Sequence, residues 1–170
     1  MATLKERQYK CRLWLPGKTT VELTLAGKEM LAPSFAVWEL ANTSAKEAVK
    51  LVMSEQSWKF LAELQTLRDR YFNTFGKGLD LSSFYRTATY NRSCGGSINS
   101  AHLDARAADI IGIPQSRYEQ ITAWWRDITA AAGKTGGINY YPDNRLHITD
   151  FEQKFGHSQF YIRDYRRQGK

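Results

Sequence analysis

Apolar and polar positions alternate along residues 9–25. Tyr9, Cys11, Leu13 and Leu15 share one parity, and Val21, Leu23 and Leu25 resume the alternation after Pro16-Gly17-Lys18. A period of two interrupted by a Pro-Gly turn predicts a β-hairpin. Gly27 to Pro33 reads as a connection, and Ser44 to Met53 as a helix with Ser44 at its N-cap. The period then lengthens. Trp58, Leu61, Leu64, Leu67 and Tyr71 recur at helical spacing, which predicts a helix over 57–75 stopped by Gly76. Leu79 to Phe84 reads as a strand, and Arg86 to Ser100, polar and glycine-bearing, as a loop. Ala107 to Ile113 is short and apolar, the pattern of a buried strand. Pro114 and Ser116 open an amphipathic helix that reaches about Ala132 and closes at Gly133. Gly137 to Tyr141 and Arg145 to Thr149 flank Pro142-Asp143-Asn144 and predict a second hairpin. Tyr140 and Tyr141 alternate on its first strand, so one faces the core and one faces out. Strands and helices mix without a strict βαβ alternation. The expected class is α+β, with a small antiparallel sheet flanked by helices.

A chain of 170 residues with 42% apolar and 13% aromatic content is expected to form one globular domain over 1–170. Residues 1–30 read as an N-terminal hairpin extension and 160–170 as a frayed basic tail. No run of ~18 apolar residues predicts a membrane span. Met1 to Lys10 is charged and lacks the apolar stretch of a signal peptide, so synthesis in the cytoplasm is expected. Cys11 and Cys94 form neither a disulfide framework nor a CxxC motif, so a metal site must use His and carboxylate. The net charge of +7 favours anionic partners, nucleic acid or an anionic cell wall. The lack of a zinc-finger, RNP or Gly-rich phosphate motif argues against nucleic acid.

There are three histidines, His102, His147 and His157. His102 lies seven residues before Asp109, and His147 follows the predicted hairpin turn. Two imidazoles and one carboxylate meet the requirement of a catalytic zinc site, three protein ligands and one open position. On composition and spacing alone the favoured reading is a hydrogen-bonded loop histidine and an aspartate that caps a turn or pairs with an arginine.

Several ordered motifs alter this balance. Ser100-Ala-His102-Leu-Asp-Ala105-Arg-Ala-Ala-Asp109 resembles the Ser-x-His-x-x-Gly-x-Ala-x-Asp signature of the zinc D-Ala-D-Ala carboxypeptidase family. That family includes the L-alanyl-D-glutamate endopeptidases of phage lysis enzymes. Ser82 to Thr87 is similar to its Ser-Gly-Tyr-Arg-Ser stretch, and Tyr90-Asn91 to its Tyr-Asn segment. Gly136 to Tyr141 with Leu146-His147-Ile148 resembles its Gly-Gly-hairpin-Val-His segment, and Phe35 to Leu40 a segment of phage-type members. The resemblance spans about residues 33–150.

It implies that His102, Asp109 and His147 bind Zn2+, and that Arg86 binds substrate and steadies the oxyanion. An arginine suits that role because it is always charged and donates in a planar fork. Ser100 would hydrogen-bond substrate or simply cap the loop, and the outward tyrosine, Tyr141, would touch substrate. The function implied is hydrolysis of peptidoglycan stem peptides at the cell wall; the small size and the absent signal peptide lean toward a phage or prophage origin. The alternative is an inactive member that binds wall peptide or serves as a phage structural or assembly part.

Three departures from the family pattern bear on activity. Ala105 stands at a Gly position and is strained if the backbone there needs positive φ. Thr149 stands where many members carry an Asp that orients the last ligand, and Asp150 falls on the opposite strand face. The family's general base, two or three residues before the last His, is replaced by Arg145 and Asn144. Asp143, four before, is either the base or an ordinary turn former. Asp104 and His157 are the reserve candidates.

Overall fold

A computed structural model describes residues 3–17, 19–41, 49–150 and 159–166. The chain divides into two compact units, residues 1–62 with 83–107, and 63–82 with 108–170. Helices and strands are mixed as the α+β expectation requires.

In the first unit, β1 (Gln8–Leu15) and β2 (Thr19–Ala26) form the expected antiparallel hairpin, with Cys11 opposite Leu23 and Leu13 opposite Val21. Tyr9, Cys11 and Leu13 are buried, whereas Leu15 and Leu23 are exposed at the rim. The apparent connection that follows contains a small antiparallel pair, β3 (Met30–Ala32) and β4 (Phe35–Ala36), leading into the short helix α1 (Val37–Leu40). The helix expected over 44–53 is corrected at its described end. Leu51–Met53 is strand β5, paired in parallel with β1. Leu51 and Met53 are buried and Val52 between them is half-buried, a period of two. Pairing with β1 satisfies the backbone and outweighs a weak helical propensity. Ser44, its supposed cap, lies outside the described residues.

Helix α2 (Glu55–Phe75) begins two residues before the expected start and ends at Gly76, φ +65°. Its Phe60 stacks on Phe84 at 5.7 Å. The loop expected over 86–100 contains helix α3 (Ala88–Ser93). Thr87 caps it by accepting a hydrogen bond from the Tyr90 backbone N–H. That cap was the signal, hidden because too few apolar positions follow it to show a period.

The second unit is built on a five-stranded sheet in the order β10-β8-β9-β7-β6, from β6 (Asp80–Ser83), β7 (Ala107–Ile111), β8 (Gly137–Tyr140), β9 (Leu146–Thr149) and β10 (Tyr161–Asp164). The unit boundary falls within α2, β6 and β7. Pro114 leads through a short 3-10 turn into α4 (Tyr118–Ala131), which stops before Gly133, φ +70°. β8 and β9 are antiparallel with Asn139 opposite His147 and Ile138 opposite Ile148. Ile138, Leu146 and Ile148 are fully buried on one face. Trp125 of α4, also fully buried, donates its indole N–H to the Thr149 carbonyl, and Tyr118 packs on Tyr140 at 5.0 Å. The opposite parity leaves Asn139, Tyr141, Arg145 and His147 for the other face.

Arg163 and Asp164, expected in a frayed tail, belong to β10, which pairs in parallel with β8. Gly137 makes this docking possible. A Cβ there would lie 2.0 Å from the Tyr161 ring, so the ring rests directly on the glycine backbone. A second fixed point is buried charge. Lys134 Nζ lies 2.6 Å from Glu63 Oε1 and 2.5 Å from Asp150 Oδ2, and all three side chains are at most 10% exposed.

Two outcomes test this unit. Gly137→Ala must displace Tyr161, and hydrogen exchange is expected to show lost protection in β10 while α4 stays protected. Lys134→Met leaves two buried carboxylates without their cation and is expected to lower unfolding stability by about 3–5 kcal/mol, measured by urea denaturation.

Candidate metal centre

His102 sits on a 3-10 turn, Ala101–Asp104, that runs almost directly into β7. Ser57 Oγ donates to the Asp104 carbonyl at 2.7 Å, and the Arg86 backbone N–H donates to the His102 carbonyl at 2.9 Å. Both bonds fix the turn. It closes at Ala105, which takes φ 50°, ψ 44°, the left-handed region. Ala105 is fully buried in that conformation. The family's preference for glycine at this position therefore has a backbone reason, and alanine costs roughly 1–2 kcal/mol there.

The His102 ring is 1% exposed. Its Nδ1 lies 2.7 Å from the Phe84 carbonyl. A carbonyl only accepts, so Nδ1 carries the proton and Nε2 is the lone-pair nitrogen of the neutral ring. A backbone carbonyl holding one imidazole nitrogen and leaving the other as donor is the usual support of a metal-binding histidine.

Asp109 lies in the middle of β7 and is 3% exposed. His147 lies on β9, the neighbouring strand, and its side chain is 17% exposed. His147 Nδ1 donates to Asp109 Oδ1 at 2.9 Å. One ligand atom from each of His102, Asp109 and His147 lies within 4.8 Å of the others. Two imidazoles and a carboxylate converging at that range form a donor set suited to zinc. The nearly buried Asp109 and His102 supply the preorganisation, and the more open His147 lies towards solvent.

The strand alternation also places residues that the sequence did not single out. Asn139 stands across from His147 on β8. It hydrogen-bonds the Tyr141 side chain, and its buried Oδ1 has no hydrogen-bond partner among the described residues. Tyr141 stacks on Tyr165 with ring centroids 5.4 Å apart. Burial raises the Tyr141 phenol above its ordinary pKa, against the lowering effect of the Asn139 hydrogen bond, so it stays protonated near neutrality. Tyr140 turns the other way, and its hydroxyl meets Thr122 Oγ1 at 2.6 Å. The expected split between the two tyrosines holds, with Tyr141 on the metal side. Period-two counting back from His147 through the hairpin would have found Asn139 as well.

Arg145 is the larger omission. Its guanidinium lies over the Tyr141 ring at 4.3 Å, with Nη1 4.0 Å from Asp109 Oδ2 and Nε 3.4 Å from Asp143 Oδ2. Among the described residues Asp143 meets the site through Arg145, and its side chain is 60% exposed. Asp143 stands in the turn that Asn144, φ +57°, completes.

The remaining candidates separate cleanly. Thr149 is fully buried, and its hydroxyl has no hydrogen-bond partner among the described residues, so it does not orient His147. Asp150 faces Lys134 instead, as its parity required. Arg86 Nε donates to Ser83 Oγ at 2.8 Å. Ser100 takes the N-cap position of the 3-10 turn but makes no side-chain capping bond. Asp104 is exposed, and His157 lies outside the described residues. Trp125 is core, and Trp124 packs against Phe75 at 6.1 Å. Cys11 is buried, and burial raises its thiol to about 11, so it is inert.

No curated protein matches the chain. Among models of protein families, that of peptidase M15 matches residues 33–149, more than two thirds of the sequence and a span that contains His102, Asp109 and His147. The chain belongs to the peptidase M15 family, a family of zinc-dependent hydrolases.

Proposed function

We propose that the protein is a zinc metallopeptidase that hydrolyses peptide bonds in the stem peptides of bacterial peptidoglycan, as a D-Ala-D-Ala carboxypeptidase or an endolysin-type endopeptidase. The observation that carries this reading is the convergence of His102, Asp109 and His147 within 4.8 Å inside the span matched by the M15 family. Zinc, when bound, supplies a Lewis acid for the carbonyl and lowers the pKa of coordinated water. His102 and His147 would bind it through imidazole nitrogen, and Asp109 through a carboxylate oxygen.

The chain's own groups supply the rest. Arg86, whose backbone N–H donates to the His102 carbonyl and whose Nε donates to Ser83 Oγ, binds substrate and steadies the oxyanion. Ser100, with its hydroxyl not used as a cap, hydrogen-bonds the bound peptide. Tyr141, protonated and half-buried on the metal face, offers a hydroxyl and a ring edge to substrate. Asp143 is the general base. Its 60% exposure keeps the carboxylate accessible, and the Arg145 contact keeps it near the Asp109 side of the hairpin. The enzyme would act at the cell wall and be phage-encoded.

That same exposure of Asp143 favours a second reading, a family member that binds wall peptide or serves phage assembly without turnover. Purified protein loaded with zinc and incubated with isolated peptidoglycan separates the two. Release of new amino termini supports the enzyme, and zinc binding with no release supports the binder.

Two further outcomes are expected. Wild-type protein should carry about one zinc per chain, and His102→Ala should lose at least tenfold in affinity, read by metal analysis after dialysis. Chelation should stop peptide release, and added zinc should restore it. Asp143→Asn should lower kcat by roughly 10²–10⁴-fold with zinc content retained. Unchanged kcat would remove Asp143 from the reaction.

A further inference from the structure

Arg145 stands two residues before His147, with its charge beside the metal-binding carboxylate. A guanidinium has five N–H donors in a rigid plane. Among the described residues those donors make no hydrogen bond. Nη1 is 4.0 Å from Asp109, beyond hydrogen-bonding range, and Nε, 3.4 Å from Asp143, is a buried atom without a hydrogen-bond partner. Asp143 is exposed, so its attraction for Arg145 is screened by solvent. Asp109 already receives His147 on its other oxygen. The cation is held chiefly by stacking on Tyr141 at 4.3 Å, and Tyr141 is itself braced by Tyr165.

A cation fixed by its flat face, with its donor edge not consumed by the protein, is poor as a structural ion pair and good as a receptor. The buried Nε without an acceptor costs stability, and the exposed third of the side chain can meet a carboxylate from outside. Planar, bidentate donation is what a carboxylate accepts best. Nη1 lies 4.0 Å from Asp109, one of the three metal-binding candidates. A carboxylate seated on Arg145 therefore belongs to a residue flanking the amide at the metal.

We propose that Arg145 is the specificity-determining residue of this site, receiving a free substrate carboxylate next to the scissile amide on the guanidinium that Tyr141 holds in place. The proposal rests on the peptidase reading and narrows its substrate class to peptides with an unamidated carboxylate beside the cut. That carboxylate is either the chain's own C-terminus or the free carboxylate of an acidic residue. A neutral residue at position 145 would serve a hydrolase equally well at the metal, but would give no reason to prefer an acid over its amide.

The test uses two pairs of peptides with the zinc-loaded full chain. One pair ends in D-Ala-D-Ala as the free acid or as the C-terminal amide. The other contains L-Ala-D-Glu with the glutamyl carboxylate free or amidated. Wild type should prefer the acid within one pair by about ten- to a hundredfold in kcat/KM, and the pair that shows it names the source. Arg145→Gln should bring that ratio close to one. Arg145→Lys, which keeps charge but loses the planar fork, should retain only part of it. Because each ratio is taken within one protein, a loss of folded enzyme does not produce the result. An acid preference that survives in Arg145→Gln, or its absence from both pairs in wild type, overturns the proposal. If zinc binds but no peptide is cut, the peptidase reading fails separately. Calorimetric binding of the same pairs then decides, with an acid preference lost in Arg145→Gln supporting Arg145 and equal affinities for acid and amide refuting it.

Discussion

The register between β8 and β9 fixes the chemistry of the second unit. With Ile138 opposite Ile148 and Asn139 opposite His147, one parity carries Ile138, Tyr140, Leu146 and Ile148 and the other Asn139, Tyr141, Arg145 and His147. A slip of one residue would expose Ile138, Leu146 and Ile148, all fully buried. At about 1.5–3 kcal/mol for each large aliphatic side chain, that slip is prohibitive. The same slip would turn His147 away from Asp109 and Arg145 away from Tyr141. Burial of three aliphatic residues thus aims an imidazole and a guanidinium that make no contribution to the core. The Trp125 hydrogen bond to the Thr149 carbonyl pins the far end of the strand, so the register is secured from the helix side too.

The site and its scaffold were unequally legible in the sequence. Period-two alternation located β1, β2, β8 and β9, and the long 3.6-residue period located α2 and α4, because each buries one regular face. β5 was misread as helix because three residues carry too little period to compete with a favourable cap. Only its pairing with β1, some forty residues away, makes it a strand. β10 was hidden for a related reason. Its residues are mostly exposed, and what docks it is a tyrosine ring on Gly137. Glycine shows in a sequence as flexibility, whereas here it provides a close approach. The same blindness covered α3, whose length of six residues leaves no amphipathic face to read.

The three proposed ligands were suggested by motif order, since spacing alone favoured an ordinary loop histidine. Their supports were not legible. No pattern connects His102 with the Phe84 carbonyl eighteen residues earlier, yet that hydrogen bond selects the tautomer. Ala105 shows the converse. Its departure from glycine was visible, and only the backbone, at φ 50°, decides that the departure is a strain.

Arg145 draws these strands together. Position 145 was first noticed for what it lacks, a carboxylate near the last ligand. A guanidinium there changes the electrostatics of the site rather than merely deleting a base. It adds a second positive charge beside Asp109, which by itself weakens metal binding, since both cations draw on the same carboxylate. A site that kept only structural needs would have placed a neutral side chain at this point. Stacking on Tyr141 holds the cation without neutralising it, and the adjoining Asp143 is too exposed to do so. The charge is therefore balanced best when a substrate brings its own carboxylate. On that proposal metal, arginine and substrate would form one electrostatic unit: Asp109 would face both Arg145 and the cation it would hold, and an anionic peptide would restore the balance as it binds.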